Sequence, residues 1–238
     1  YLDKTWNQKS EIRQEGIIEA MNFRLDASYQ LDANNSIGAN FGFLRNPKQT
    51  WNGDMSSLIL QDGDLSESSD SHADFFWQKN NLSSNIYYVG KIGKLSIDFN
   101  TDWLWSKEYQ NDVTKEQYQE VGMNAQSQTA HSLTNKDYHL LASKLVLSYP
   151  LSGGNLSLGG EYSNTHRTSK YQVVPTNLVS DDDSRITESM TSSFLTYSRD
   201  FGNLSLEAGM RYEYIDFNYY EYGKYVPGQS KSYGNWFP

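Results

Sequence analysis

The chain has 238 residues, enough for one large all-β domain or a piece of a bigger one. It has no cysteine, which excludes a disulfide framework and thiolate metal sites, and its net charge of −9 disfavours nucleic acid as a partner. No run of about 18 apolar residues occurs, so a transmembrane helix is excluded. Aromatic residues make up 14% of the chain, with 18 Tyr and 6 Trp, and such amphipathic rings suit a membrane–water interface.

The first predicted strand covers residues 15 to 31 and sets the pattern. Met21, Phe23, Leu25, Ala27, Tyr29 and Leu31 alternate with Asn22, Arg24, Asp26, Ser28 and Gln30. Period two sends the first set to one sheet face and the second to the other. A polar turn follows at Asp32-Ala33-Asn34-Asn35, then a second strand with Ile37, Ala39, Phe41 and Phe43 on one face. Residues 46 to 71 read as a long loop with Pro47, Gly53, Gly63 and several acids. A third strand runs from 73 to 89, with a bulge expected near Asn80-Asn81, and Gly90-Lys91-Ile92-Gly93-Lys94 closes a hairpin.

The fourth strand alternates cleanly, with Leu95, Ile97, Phe99, Thr101, Trp103 and Trp105 against Ser96, Asp98, Asn100 and Asp102. Residues 107 to 135 read as a second long loop, with a short helix expected over 114–120. The fifth strand spans 137 to 149, and Pro150-Leu151-Ser152-Gly153-Gly154-Asn155 turns into the sixth, where Leu156, Leu158, Gly160 and Tyr162 share a face. A third loop covers 165 to 185, and the seventh strand 186 to 199. After Asp200-Phe201-Gly202-Asn203, the eighth strand sets Leu204, Leu206, Ala208, Met210, Tyr212 and Tyr214 against Ser205, Glu207, Gly209, Arg211 and Glu213.

Short turns therefore alternate with long polar loops through about eight strands. The pattern predicts an all-β, antiparallel, up-and-down transmembrane β-barrel, lipid outside and water inside, in a bacterial outer membrane. Short turns fit the periplasmic rim and long loops the cell surface. Residues 1–238 form one barrel segment with no separate domain. The opening Tyr1-Leu2-Asp3-Lys4 carries no signal-peptide pattern and the chain stops at Phe237-Pro238, so both ends read as cut.

Gly209-Met210-Arg211-Tyr212-Glu213 after Leu204-Ser205-Leu206 resembles a barrel strand of TonB-dependent receptors. Tyr233-Gly234-Asn235-Trp236-Phe237-Pro238 is similar to the segment that follows it there. Pro150-Leu151-Ser152-Gly153-Gly154 resembles the periplasmic turns of the related outer membrane protein beta-barrel family. The resemblance implies a 22-stranded barrel of which this chain is an arc, a plug domain inside it, and ligand uptake driven by TonB. Neither a plug nor a TonB box is found in these residues.

The inward set Arg24, Asp26, Asp98, Asp102, Lys144, Glu161, Glu207, Arg211 and Glu213 fits either a substrate path and plug-docking surface or a hydrated, mutually paired wall. By resemblance, Arg211 and Glu213 are the candidates for plug contact. Trp51, Tyr219, Tyr220, Tyr222 and Tyr225, assigned to outer loops, fit either stacking on a small ligand of unknown identity or packing between loops. Asp62, Asp64 and Asp181 to Asp183 are acids that either bind Ca²⁺ or stay solvated, and their spacing lacks an EF-hand pattern. His72, His131, His139 and His166 form no metal motif, and no catalytic signature occurs. The expected role is transport without cofactor, metal or catalysis, with the bilayer, a plug and TonB as partners. The rival readings are a small closed barrel or adhesin with surface-binding loops, and a soluble carbohydrate-binding β-sandwich.

Overall fold

A computed structural model describes residues 4–175 and 179–238. The opening Tyr1-Leu2-Asp3 and residues 176–178 of the predicted third loop lie outside the described residues. Eight long strands run up and down: β1 (Trp6–Asp32), β2 (Asn35–Gln61), β3 (Asp64–Ile92), β4 (Leu95–Glu120), β5 (Gln126–Leu151), β6 (Gly154–Val174), β7 (Asp182–Phe201) and β8 (Leu204–Glu221). A two-residue β9 (Lys224–Tyr225) and a seven-residue β10 (Lys231–Phe237) follow, separated by a single 3-10 turn. All lie in one antiparallel sheet ordered β1-β2-β3-β4-β5-β6-β7-β8-β10, with β9 paired to β8. No pairing joins β1 to β10 among the described residues, so the sheet is open.

The long loops expected over 46–71, 107–135 and 165–185 are instead mostly strand. β3 alone has 29 residues, or about 95 Å at ~3.3 Å per residue. A barrel strand needs only about 9–11 residues to cross a bilayer, so the hairpins continue the sheet far beyond it. The helix expected over 114–120 is absent, because those residues pair with 126–130 of β5 and with 67–73 of β3. Asp62-Gly63 makes the β2–β3 turn with both residues at positive φ, 53° and 96°. That is the type I′ geometry whose twist matches the flanking strands. Ser152-Gly153 and Tyr222-Gly223 repeat it.

The expected bulge sits on the neighbouring strand. Register slips between Asn46 and Gln49 of β2, opposite Lys79 and Trp77 of β3. Pro47 lies at the slip and has no N–H to give the ladder. Gln78, the residue left unpaired opposite, donates from its amide to the Pro47 carbonyl at 2.8 Å.

Register carries the predicted outward sets into one continuous band. Leu25 faces Phe41, Tyr88 faces Phe99, Trp103 faces Leu141, Leu147 faces Leu158, Leu158 faces Leu195, and Leu195 faces Met210. Directly paired residues share a face, so a mainly apolar band runs from β1 to β8, with Ser84, Ser143, Asn164 and Ser189 among its members and Arg199 opposite Leu206 near the short turns. Nothing covers it: Leu204, Leu206 and Met210 are 56%, 54% and 53% exposed. Val173 is the one buried apolar side chain among the described residues. A single-layer sheet without a core is no soluble sandwich, whose inner face must pack on a second sheet. The apolar face must meet lipid.

Glycine and aromatic residues pin the register from the other side. The Phe194 ring lies over Gly159 and the Tyr87 ring over Gly38, each across a directly paired position. A Cβ at either glycine would collide with the ring, so the missing side chain makes room for the aromatic neighbour.

Candidate functional site

The polar face opposite the band is the candidate site. Its best-connected part spans β5 to β8. Lys144, Glu161, Ser192 and Glu213 are successive register partners, and Arg211 faces Phe194. Arg211 donates to Glu161 at 2.6 Å and to Glu213 at 2.5 Å, while Lys144 meets Glu161 at 2.9 Å. Both cations also lie 5.9 Å from the centre of the Phe194 ring. Two cations thus share two carboxylates across four strands. Sequence reading placed Arg211, Glu213, Glu161 and Lys144 on one face, and the structure brings all four together. Phe194 was missed, though its alternation with Leu195 marks it as inward.

The other predicted inner charges are spread along the wall. Arg24 and Asp26 pair with each other on β1 at 2.9 Å. Asp102 accepts from the Asn85 amide at 2.7 Å. Asp98 and Glu207 lie nearer the short turns and have no ion-pair partner among the described residues. The short-turn end is polar too: Asp32 accepts the Asn34 N–H at 2.7 Å, which holds its carboxyl below the usual range.

Beyond the band, the same polar face continues along the strand extensions. Trp51 lies on β2 rather than in a loop, and register places it beside Phe75, Asp112 and Ser132. One step away, Trp77 pairs with Gln110 and Gln110 with Thr134. Asp112 is only 9% exposed. Gln110 donates to its Oδ2 at 2.7 Å and Ser132 at 3.3 Å, but Oδ1 has no partner. Burial raises the Asp112 pKa, and the two hydrogen bonds only partly oppose this. Nearer the band, Ser106, Glu108, Lys136, Tyr138, Arg167 and Ser169 line a recess of about 260 Å³. Lys136 meets Glu108 at 3.2 Å. Sequence reading missed these residues, placing Glu108, Arg167 and Ser169 in loops.

The remaining aromatic candidates separate. Tyr219 is on β8 with its partner Ile186 on the inner face, whereas Tyr220 and Tyr225 lie on the face that carries the lipid band. The Tyr220 and Tyr225 rings meet edge to face at 5.5 Å. Tyr222 occupies a turn and donates from its hydroxyl to the Asp181 carbonyl at 2.6 Å. Trp51 and Tyr219 alone of the five lie on the inner face.

Histidines also fall on the outer face. His139 and His166 are directly paired, their rings 6.4 Å apart, and His139 Nε2 lies 2.8 Å from Asp137. His72 hydrogen-bonds Asp54 at 2.6 Å, which raises its pKa. No group of three or more His, Cys, Asp or Glu side chains is arranged for a metal among the described residues.

No curated protein matches the sequence. Among solved structures, the ferric citrate transporter FecA in its unliganded form is 12% identical, with 93% of this chain and 40% of that one covered, at a TM-score of 0.40. The alcaligin outer membrane receptor FauA from Bordetella pertussis is 11% identical over 96% of this chain and 39% of that one, at 0.41. The siderophore receptor PiuA from Acinetobacter baumannii is 9% identical over 96% and 45%, also at 0.41. The chain thus spans less than half the length of these receptors. The family profile is the stronger finding, since it matches residues 90–238, from the β3–β4 hairpin through the Arg211 network to the last residue. With its lipid-facing band and paired polar wall, the chain belongs to the outer membrane protein beta-barrel family.

Proposed function

We propose that this chain is barrel wall of a TonB-dependent-receptor-like protein that takes up a scarce small ligand across the outer membrane. The observation that carries this reading is the division of one sheet into an uncovered apolar face and a face of mutually paired charges. Such a wall keeps a water-filled conduit beside lipid. The strands also run far past the bilayer, which raises Trp51, Trp77 and Tyr219 into a vestibule where a ligand is captured before passage. The role is transport rather than catalysis: the wall binds and guides, while a plug held against Arg211 and Glu213 gates. The long hairpins face outward from the cell, and the turns at Ala33-Asn34, Gly93-Lys94, Ser152-Gly153 and Gly202-Asn203 face the periplasm.

The periplasmic domain of TonB, immobilised, tests the reading. Full-length protein in detergent should be retained, and residues 1–238 alone should pass through. In liposomes, residues 1–238 alone should show no energy-dependent uptake. Failure of the full-length protein to bind TonB, or TonB-coupled uptake by residues 1–238 alone, would refute it.

A further inference from the structure

Beyond the row of Lys79, Glu108 and Lys136, the inner face of β1 to β7 changes character. Its paired residues there include Glu67, Asp112, Glu116, Glu120 and Asp182, but no lysine, arginine or histidine. The outer face of the same stretch differs, since it mixes Lys9, Arg13, His72 and Lys115 with its acids. Within the acidic stretch, Gly53, Ala73 and Thr114 are successive register partners. These small residues leave a recess of about 230 Å³, which Ile12, Met55 and Phe75 also line. Asp112 adjoins it: its register partner is Phe75, and it stands two residues before Thr114 on the same face of β4.

We propose that the recess and Asp112 together bind an apolar group carrying a protonated primary or secondary amine. The inference rests on the uptake reading, in which this amine is the cargo. Three observations support it. The first is Asp112 itself. It is only 9% exposed, its Oδ2 accepts from Gln110 and Ser132, and its Oδ1 has no partner. A buried carboxylate in that state is costly until a donor reaches it, and a cationic donor offsets the cost best. The second is the charge of the face. Five carboxylates without a cation among them concentrate cations and repel anions. The third is the recess. A dry cavity of roughly 150 Å³ holds benzene, so about 230 Å³ takes one ring with a short chain.

The chemistry narrows the class. An ammonium N–H donates to Oδ1 in a charge-assisted hydrogen bond, and the same charge is attracted to the face of an aromatic ring such as Phe75. A quaternary ammonium has no N–H to give Oδ1. An alcohol brings no charge to set against the carboxylate, and an anion is repelled by it. A metal ion needs several ligating side chains, and no group of three or more His, Cys, Asp or Glu is arranged for one among the described residues.

The test uses full-length protein purified from outer membranes in mild detergent. Equilibrium dialysis at neutral pH compares three probes that share a ring and a short chain: phenethylamine, phenethyl alcohol and phenylacetate. The parent should bind the amine about ten-fold or more tighter than the alcohol, and phenylacetate more weakly still. Asp112→Asn should bring the amine down to the level of the alcohol. Asp74→Asn, which removes the same charge from the opposite face, should bind as the parent does. Ala73→Leu, which fills the recess and leaves Asp112 in place, should weaken amine and alcohol alike, and heat-modifiable gel mobility reports that each variant is folded. No binding of the amine by the parent, equal binding of amine and alcohol, or undiminished amine binding in Asp112→Asn overturns the site. Retention on immobilised TonB separates the two readings. Protein that binds TonB but does not prefer the amine overturns this inference alone. Protein that binds the amine through Asp112 but not TonB supports the site and overturns the uptake reading.

Discussion

Placing an arginine at Met210 tests the lipid face most directly. On β8 the outer set runs from Leu204 to Tyr214, ten residue steps. At ~3.4 Å per residue and a tilt of about 45°, that set climbs about 25 Å, the height of the apolar band of an outer-membrane barrel. Met210 lies six steps up, or about 14 Å above the lower boundary, close to the midplane. Met210→Arg should therefore cost about 2–4 kcal/mol. Phe23 shares the band but lies two steps from Met21 at its upper end, only about 5 Å inside the boundary, so Phe23→Arg should cost about 1 kcal/mol or less. Val146 is on the water side, where its register partner is Asp98. Val146→Arg should cost little. Urea unfolding of each variant in vesicles, followed by tryptophan fluorescence, supplies the comparison. Equal costs at Met210 and Val146, or a larger cost at Phe23 than at Met210, would refute the assignment of faces and depth.

The paired wall and the vestibule give further expectations. Glu161→Gln removes the carboxylate shared by Lys144 and Arg211, and in the same unfolding assay it should cost about 1 kcal/mol, because the groups are partly solvated. Asp112→Asn should stabilise the β4–β5 hairpin at neutral pH and leave it unchanged well below the ordinary carboxylate pKa. Burial raises the folded-state pKa, so the charged form destabilises as pH rises through the unfolded and then the folded value. Amide exchange of residues 110–134 measures it. His72 should titrate above the ordinary histidine value in an NMR titration, and Asp54→Asn should bring it down. Any stability from this pair is present below the unfolded histidine pKa and is lost as pH rises through the higher folded value.

Much of the sheet within the bilayer is legible in the sequence, because there the two faces meet different solvents. Lipid demands Phe, Leu and Trp on one side and water permits Arg, Asp and Ser on the other, so period two is written into residues such as Phe23 to Leu31 and Leu204 to Tyr214. The same contrast places Arg211, Glu213, Glu161 and Lys144 on one wall. Beyond Arg45 the strands meet water on both faces, and the contrast disappears. Asn52, Asp54, Ser56 and Asp70 then read as loop, although they are ladder residues of β2 and β3. A local signal was nevertheless present. Asp62-Gly63 is the dipeptide a type I′ hairpin demands, and it marks the far end of the β2–β3 hairpin. The clustering of Trp51 with Phe75 and Asp112 was not legible, since it depends on register across three strands and on the slip at Pro47.

The extension above the band raises a separate physical question, because it has neither lipid nor a core to hold it. Its backbone groups are paired strand to strand, which removes the cost of unsatisfied polar groups at the centre of the sheet. Side chains then add cross-strand contacts. Ser10 and Ser57 share a hydrogen bond at 2.8 Å that Gln8 joins, Ser56 donates to Asp70 at 2.5 Å, and Gln128 donates to Glu116 at 2.6 Å. Each such pair contributes only a few tenths of a kcal/mol to about 1 kcal/mol, so stability should fall with distance from the bilayer. Phe75 and Trp51 should interrupt that decline, since they concentrate aromatic area well above the band, whereas the buried carboxyl of Asp112 lowers stability there. A polar surface kept only for solubility gains nothing from a half-satisfied buried carboxyl, whereas a surface that must hold a ligand in a fixed place requires local rigidity. If the chain takes up a ligand as proposed, the surface around Trp51 and Asp112 is where its selectivity is to be sought.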